Sequence, residues 1–238
     1  MKIALFGYGK MGKEIEQIAV QRGHSVPLKI DLHNAETFSK EELKQCDAAI
    51  EFSTPHTAIS NMNKCFDAGV PVVVGTTGWY DKLEEVKNNC SGKNGGLFYA
   101  SNFSVGVNVF FKVNEFLAKM MNNYPGYKIS IEEIHHIHKL DAPSGTAISL
   151  ANQVIQNNSV KAKWVNAETN KKNELEIISK RENEVPGTHT VRYHSAVDDI
   201  EITHKAHSRK GFALGAVLAA EFMKGKKGVF GMDDLMKL

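Results

Sequence analysis

The run Gly7-Tyr8-Gly9-Lys10-Met11-Gly12 most restricts what this chain can become. It matches G-x-G-x-x-G, it follows the apolar stretch Lys2–Phe6, and it precedes a segment, Lys13–Gln21, with helical spacing. A glycine loop between a strand and a helix allows a tight turn at Gly7, close approach of a pyrophosphate at Gly9, and close helix–strand packing at Gly12. Amides at the helix start, aided by the helix dipole, then favour the phosphates. The fingerprint also calls for an acidic residue about 20 positions on, at the end of the next strand. Asp31 stands 19 residues after Gly12 and follows the expected strand Val26–Ile30. Its carboxylate can accept hydrogen bonds from both ribose hydroxyls.

The alternation continues. Ala48–Phe52, Val70–Val74 and Gly96–Tyr99 read as short apolar strands, and Thr57–Ala68 and Asp81–Asn89 as helices. Apolar strands alternating with helices imply a parallel sheet covered on both faces. Two later loops fall at strand C-terminal ends, where such sheets bind ligands. In one, Gly75 permits close approach while Thr76 and Thr77 offer hydroxyls. In the other, Ala100, Ser101, Asn102 and Phe103 bring an amide and a flat aromatic ring suited to a nicotinamide.

After Asn102 the pattern changes. Ser104–Asn123 has helical spacing, and Lys128–His138, Lys161–Glu168, Glu174–Arg181, His189–Ser195 and Ile200–His204 read as strands of a second sheet. Phe212–Met223 is an apolar helix. Two domains follow, divided near residues 104–106.

The densest chemistry is HHIHKLDAPSGTA, His135 to Ala147. If the strand runs to His138, His135 and Lys139 share one face and His136 and His138 the other. Pro143 suits a loop before a helix over Ala147–Asn157, which either Ser144 or Thr146 can cap. Amides around Gly145 and Thr146 would face an anion. Imidazoles, an ammonium and an anion-binding helix end together suit a small carboxylate substrate with a general acid beside it. A His-x-His pair can also bind metal, but no third or fourth ligand stands at a recognisable spacing, so no metal is expected.

Composition excludes other classes. A formal charge of +2 is too weak to argue for nucleic acid as a partner, leaving room only for a modest local basic patch. Three dispersed cysteines form neither a disulfide framework nor a zinc knuckle. No run approaches the roughly 20 apolar residues of a membrane span, and the N-terminus lacks a signal-peptide core. A cytoplasmic protein is expected.

The stretch EEIHHIHKLDAPSGTA resembles the signature of the 4-hydroxy-tetrahydrodipicolinate reductase (dihydrodipicolinate reductase) family. GYGKMG, VVVGTTGW, ASNFSVGVN, VPGTHTV, EITHKAHSRKGFALGAVLAAEF and GVFGMDDLM resemble its other segments, in order, over nearly the whole chain. The resemblance implies an α/β chain. A Rossmann-type dinucleotide-binding domain spans residues 1–104 plus 209–238. A smaller α+β domain with an open mixed sheet, residues 105–208, binds substrate and assembles a homotetramer. It implies an oxidoreductase of the diaminopimelate route to lysine, reducing a cyclic imine-type dicarboxylate with NADH or NADPH. His135 would be the proton donor and Lys139 the second catalytic group. His136, Ser144, Gly145 and Thr146 would hold substrate carboxylates. Gly7, Tyr8, Gly9, Lys10, Met11, Gly12, Asp31, Gly75, Thr76, Thr77, Ala100, Ser101, Asn102 and Phe103 would hold the cofactor.

The chain departs from the family in two places. Only fourteen residues, Leu32 to Gln45, separate Asp31 from CDAAIEF, fewer than in many members. Arginine often follows the acidic residue and meets a 2′-phosphate; here Leu32 follows. Both favour NADH, although Lys10, Lys29 or His33 could accept a phosphate. Another Rossmann oxidoreductase, such as a semialdehyde dehydrogenase, would want a catalytic cysteine, and none of Cys46, Cys65 or Cys90 lies in a matching loop. A non-catalytic dinucleotide sensor would have no need of His135 and Lys139.

Overall fold

The computed structural model describes residues 1–31, 33–35 and 37–237. The chain forms two compact units, Met1–Val105 with Lys210–Leu238, and Gly106–Arg209.

In chain order the first unit holds β1 (Lys2–Phe6), α1 (Lys10–Gln21), β2 (Ser25–Ile30), α2 (Lys40–Lys44), β3 (Ala48–Glu51), α3 (Pro55–Ala68), β4 (Val72–Val74), α4 (Leu83–Gly92) and β5 (Gly96–Tyr99). The helix α5 (Val105–Met121) leads into β6 (Lys128–His135), α6 (Gly145–Gln156), β7 (Lys163–Val165), β8 (Glu174–Arg181), β9 (Thr188–His194) and β10 (Asp199–Lys205). The chain then returns to the first unit with α7 (Lys210–Met223), β11 (Gly228–Phe230) and α8 (Met232–Met236).

The first sheet is all parallel, in the order β11-β5-β4-β3-β1-β2. Its strands are buried on both faces, which is why they read as continuous apolar runs. Ile3, Leu5, Ile50 and Phe98 pack with Ile15 and Ile18 of α1 and Ala216, Val217 and Ala220 of α7. Ala4, Phe6, Val72 and Leu97 pack with Met62, Cys65 and Phe66 of α3 and Val86 and Cys90 of α4. Each fully buried large side chain contributes about 1.5–3 kcal/mol. The exposed Arg22–Glu221 pair that joins α1 and α7 at 2.8 Å contributes far less, about 0–1 kcal/mol. The short β11 adds a sixth parallel strand beside β5, pairing Gly228–Phe230 with Gly96–Phe98. The strand is three residues long and largely exposed, so periodicity could not have revealed it.

The second sheet is mixed, in the order β10-β9-β6-β8-β7. Strand β6 lies in the middle, antiparallel to β9 and parallel to β8. Its side chains alternate cleanly: Ile129, Ile131, Glu133 and His135 are buried, while Ser130, Glu132 and Ile134 lie on the more open face. The buried face packs with Ala147, Leu150, Ala151 and Val154 of α6 and with Phe110 and Ala118 of α5. Asn114 of α5 is fully buried and donates to the Leu150 carbonyl and the Gln153 side chain, so the two helices are joined by polar as well as apolar contacts.

Several expected elements shift. The strand expected over Lys128–His138 ends at His135. The helix expected over Asp81–Asn89 divides into a 3₁₀ turn, Tyr80–Lys82, and α4. The strand expected over Lys161–Glu168 shortens to Lys163–Val165.

Candidate active site

The first group of site residues surrounds the end of β1. Gly7 adopts φ +90°, and a Cβ there would lie 2.1 Å from the Phe52 carbonyl oxygen. Gly12 sits under the same turn, where a Cβ would lie 2.3 Å from the Gly7 carbonyl oxygen. Neither position tolerates a side chain. At Gly9 a Cβ would meet nothing within 4 Å, so the loop is open on the side where a phosphate would approach. Gly9 is the N-cap of α1 and supplies no side-chain cap, which leaves the first amides of the helix for a ligand. Lys10 is exposed there and Met11 half-buried. A dinucleotide pyrophosphate fits this loop.

At the end of β2, Asp31 is exposed, its amide bonded to Asn34 Oδ1 at 2.7 Å. Its neighbour Leu32 lies outside the described residues. Lys29 is committed elsewhere. Its Nζ is 2.5 Å from Glu16 Oε1 and 5.2 Å from the centroid of the Tyr8 ring, and the Tyr8 hydroxyl donates to Glu16. The bond to Glu16 holds the Lys29 ammonium above its ordinary pKa, and the bond from Lys29 holds the Glu16 carboxyl below its own.

The two later loops sit beside this one, at the ends of β4 and β5. Gly75 is required by packing, since a Cβ there would fall 2.1 Å from the Phe52 ring. The Thr76 hydroxyl is turned inward and accepts from the Ser53 amide at 2.9 Å, whereas Thr77 is exposed. Ser101 is exposed and Ala100 half-buried. Asn102 Oδ1 accepts from the Ser104 amide at 2.9 Å. Phe103 differs from expectation. Only 2% of it is exposed, and its ring packs between Phe52 and Phe98 at centroid distances of 5.7 and 5.8 Å. That ring belongs to the wall of the core, so this loop offers a ligand its backbone and the Ser101 and Asn102 side chains, not an open aromatic face.

Beneath these loops Glu51 is fully buried, and burial pushes its carboxyl above the usual range. Its Oε1 accepts from the Ser53 amide at 3.1 Å and the Asn61 side chain at 3.4 Å, which braces the end of β3 behind Gly7.

The second group lies where β6 meets α6. Because β6 ends at His135, strand alternation does not carry on to Lys139. The loop 136–141 brings it back instead, and Arg181 of β8 holds the loop by donating to the Lys139 carbonyl at 3.2 Å and the Asp141 carbonyl at 2.6 Å. Lys139 Nζ contacts both Asp141 carboxylate oxygens, at 2.7 and 2.8 Å. His136 is half-buried, and its Nδ1 has no hydrogen-bond partner among the described residues. His138 is exposed and faces Glu184 at 3.3 Å.

Helix α6 begins at Gly145, two residues before its expected start, and Ser144 is its cap, with Oγ accepting from the Ala147 amide at 3.2 Å. Thr146 is therefore inside the first turn. Ser144 is buried, and its amide donates to both Glu133 oxygens at 3.1 and 3.0 Å. Its polar atoms are thus spent inside the protein, while Gly145 is exposed and Thr146 half-buried at the helix start. The leftover first-turn amides, with Lys139 nearby, can receive a carboxylate.

Two further residues belong to this site. Glu133 faces His189 directly across β6 and β9, and His135 faces Arg181 across β6 and β8. Glu133 Oε2 lies 3.5 Å from His135 Nε2 and 3.6 Å from His189 Nε2, and the two Nε2 atoms are 3.3 Å apart. Burial opposes ionisation of Glu133, but hydrogen bonds from His135, His189 and Ser144 prevail and hold it well below the usual carboxylate range. Burial also lowers the pKa of His189. Two imidazoles and a carboxylate this close resemble a ligand set. However, Glu133 is already occupied by the Ser144 amide, Arg181 stands 3.6 Å from its Oε1, and among the described residues His189 Nδ1 is buried without a partner. Metal-bound imidazoles have that second nitrogen held. Glu133 was legible in the sequence, two residues before His135 and so on the same strand face; His189 was not, because only strand pairing brings it near.

Known proteins similar to this chain place it in a family. Residues 1–103 match the family model described as dihydrodipicolinate reductase, N-terminus, and residues 106–236 match dihydrodipicolinate reductase, C-terminus. A 4-hydroxy-tetrahydrodipicolinate reductase of Christiangramia forsetii is 49% identical over 236 residues, 99% of this chain and 98% of that protein. One from Neisseria meningitidis serogroup B is 32% identical, over 94% of this chain and 84% of its own length. Among solved structures, a dipicolinate-bound dihydrodipicolinate reductase from Paenisporosarcina sp. TG-14 shares the fold at a TM-score of 0.77 and 21% identity, covering 98% of each chain. Two domain matches that together span nearly the entire chain, and a full-length relative at near half identity, identify this chain as a member of the dihydrodipicolinate reductase family.

Proposed function

We propose that this chain reduces 4-hydroxy-tetrahydrodipicolinate to tetrahydrodipicolinate in the diaminopimelate route to lysine, with a nicotinamide cofactor and NADH in preference to NADPH. The observation that carries the reading is the full-length kinship at 49% identity, combined with His135, Lys139 and the Gly145–Thr146 helix start on one strand–helix junction. Overall, one hydride and one proton are gained and one water is lost.

The bound nicotinamide supplies the hydride. The rest falls to the chain. The Gly7–Gly12 loop and the first amides of α1 bind the pyrophosphate, and Asp31 accepts bonds from the ribose hydroxyls. The Gly75–Thr77 and Ala100–Phe103 loops hold the nicotinamide side. His136, Gly145 and Thr146 bind substrate carboxylates, and Ser144 acts by capping the helix. Lys139 stabilises negative charge as hydride arrives. His135 gives the proton that the resulting enamine requires, a task suited to imidazole near neutral pH.

The preference for NADH is supported by Asp31, which would repel a 2′-phosphate, and by the engagement of Lys29 with Glu16. Lys10 and His33, both exposed, are two further residues that could receive such a phosphate. The open face of the second sheet, with Ser130, Glu132, Thr190 and Arg192 around a groove of about 200 Å³, is the surface we assign to a homotetramer. A cytoplasmic location fits this chemistry; among the described residues no helix is long and apolar enough to cross a membrane.

The test is oxidation of NADH and NADPH at 340 nm with enzymically generated substrate, together with light scattering for oligomeric state. Turnover with a higher kcat/KM for NADH is expected. Absence of turnover would defeat the assignment, and a strong NADPH preference would defeat the cofactor reading.

A further inference from the structure

Strand pairing has assembled a buried polar cluster behind His135 that neither substrate-holding nor cofactor-holding accounts for. Glu133 is fully buried, and His189 and His135 are 4% and 8% exposed. Burying a carboxylate next to two imidazoles is costly unless each group is bonded. Here the bonds are present. Ser144 donates its amide to both Glu133 oxygens, and the Ser144 hydroxyl lies 3.0 Å from His189 Nε2. Arg181 stands 3.6 Å from Glu133 on the β8 side, Lys139, itself paired with Asp141, acts electrostatically on His189, and His204 of β10 faces His189 across the strand pair. The two imidazoles meet edge to face, with centroids 5.0 Å apart.

This geometry limits the proton arrangement. Among the described residues His189 Nδ1 is buried with no acceptor, so a proton there would be an unsatisfied donor, and the ring does better carrying its proton on Nε2, toward the Ser144 oxygen 3.0 Å away. His135 Nε2 lies 3.5 Å from Glu133 Oε2 and 3.3 Å from His189 Nε2; with the His189 proton directed to the Ser144 oxygen, the two imidazole nitrogens do not bond each other and the acceptor left for a proton on His135 Nε2 is Glu133. The other His135 nitrogen, Nδ1, makes no bond within the cluster. Beside that edge lies Gly187, where a Cβ would come within 2.9 Å of His135 Cε1 and 3.3 Å of Nδ1. The glycine, with φ +154°, leaves room for the ring where a side chain would press on it.

We propose that Glu133 and His189 are positioning residues for the reduction: together they hold His135 in one orientation with a proton on Nε2, so that Nδ1 is the nitrogen that exchanges protons with the substrate. This rests on the reading of His135 as proton donor. During turnover hydride, with its electron pair, passes from the nicotinamide to the substrate, oxidising the one and reducing the other. The Nδ1–H bond of the His135 imidazolium breaks as the new C–H bond forms. His135 is left neutral with its proton on Nε2 facing Glu133, and water restores the Nδ1 proton. Glu133 stays ionised throughout. An imidazole oriented by a buried carboxylate on its far nitrogen follows the same logic as other acid–base histidines, where the wrong tautomer is costly.

The experiment uses the full chain with ¹⁵N-labelled histidine. The His135 ring resonances are assigned by their loss in His135→Gln, and tautomers are read for wild type, Glu133→Gln and His189→Gln. In parallel, kcat, KM and the pH profile of kcat are measured. In the wild type the neutral His135 ring should carry its proton on Nε2. Glu133→Gln, close to isosteric, should change the tautomer signature, displace the pH profile and lower kcat about 10²-fold or more, with KM for NADH within about threefold. His189→Gln should lower kcat about tenfold and also displace the profile. If Glu133→Gln does not fold, Gly187→Ala, which presses on the ring without changing charge, should lower kcat while leaving NADH binding intact. A wild-type His135 protonated on Nδ1 alone, or folded variants with unchanged tautomer and pH profile, would overturn the proposal. If the wild type itself fails to turn over, the proton-donor reading fails, and the tautomer measurement still decides the geometry.

Discussion

The ammonium of Lys139 rests on the carboxylate of Asp141, 2.7 and 2.8 Å from its two oxygens, and Arg181 holds the backbone of both residues. The lysine is therefore presented by a fastened loop, not by a mobile surface tether. A cation held in place costs little to organise when charge develops on the substrate. Lys139→Ala should lower kcat about 10²- to 10³-fold, the range for removal of one charge-stabilising donor. Steady-state kinetics read this, and NADH affinity by fluorescence titration should stay the same.

His135→Gln should depress turnover and leave the NADH dissociation constant within about twofold, since a group that acts only in the proton step contributes to kcat and not to ground-state binding. An equal loss of cofactor affinity would contradict its assigned role.

The Glu16–Lys29–Tyr8 cluster makes cofactor choice adjustable. Glu16→Gln should free the Lys29 ammonium for a 2′-phosphate and raise the NADPH-to-NADH ratio of kcat/KM by about tenfold, or 1.4 kcal/mol. Asp31→Ala should weaken NADH binding without a matching change in KM for the substrate. Steady-state kinetics with each cofactor check both, and isothermal titration reads the NADH affinity of the Asp31 variant.

Gly215 lies inside α7, where a Cβ would be 1.7 Å from the Phe103 carbonyl oxygen. Alanine ordinarily gains up to about 1 kcal/mol over glycine in a helix. Here the collision with backbone wins, because neither the helix nor the Ala100–Phe103 loop can move without disturbing the apolar core. Gly215→Ala should destabilise the fold by about 1–3 kcal/mol in denaturant melts.

Stability should fall in acid for two reasons with the same sign. Glu133 has a depressed pKa in the folded state, so its contribution is full above the unfolded value of about 4.3 and is lost as pH falls towards the folded one. His189 also has a lowered pKa, so the unfolded chain binds the proton first and stability begins to drop as pH falls through about 6.5. Thermal melts between pH 8 and 4 should show the decline, and His189→Gln should flatten its upper part.

What the residues determined unaided was whatever depends on local spacing. The strand, glycine loop and helix from Lys2 to Gln21 lie where apolar period and backbone freedom require them. The parallel sheet was legible from its doubly buried strands, and Asp31 from its place after β2. The burial of Glu133 beside His135 follows from alternation along β6. Tertiary structure decided everything that depends on pairing across the chain. Alternation cannot predict that β6 stops at His135, because the stop is set by the loop that Arg181 ties down from a different strand. Nor can spacing show that His189, 54 residues from His135, lies 3.3 Å from it, since that follows from the register of β9 on β6. Phe103 was read as a ring open to a ligand, yet the core between Phe52 and Phe98 claimed it, because burying an aromatic ring outweighs leaving it at the surface. Local chemistry chose the residue types; the fold chose which of them meet.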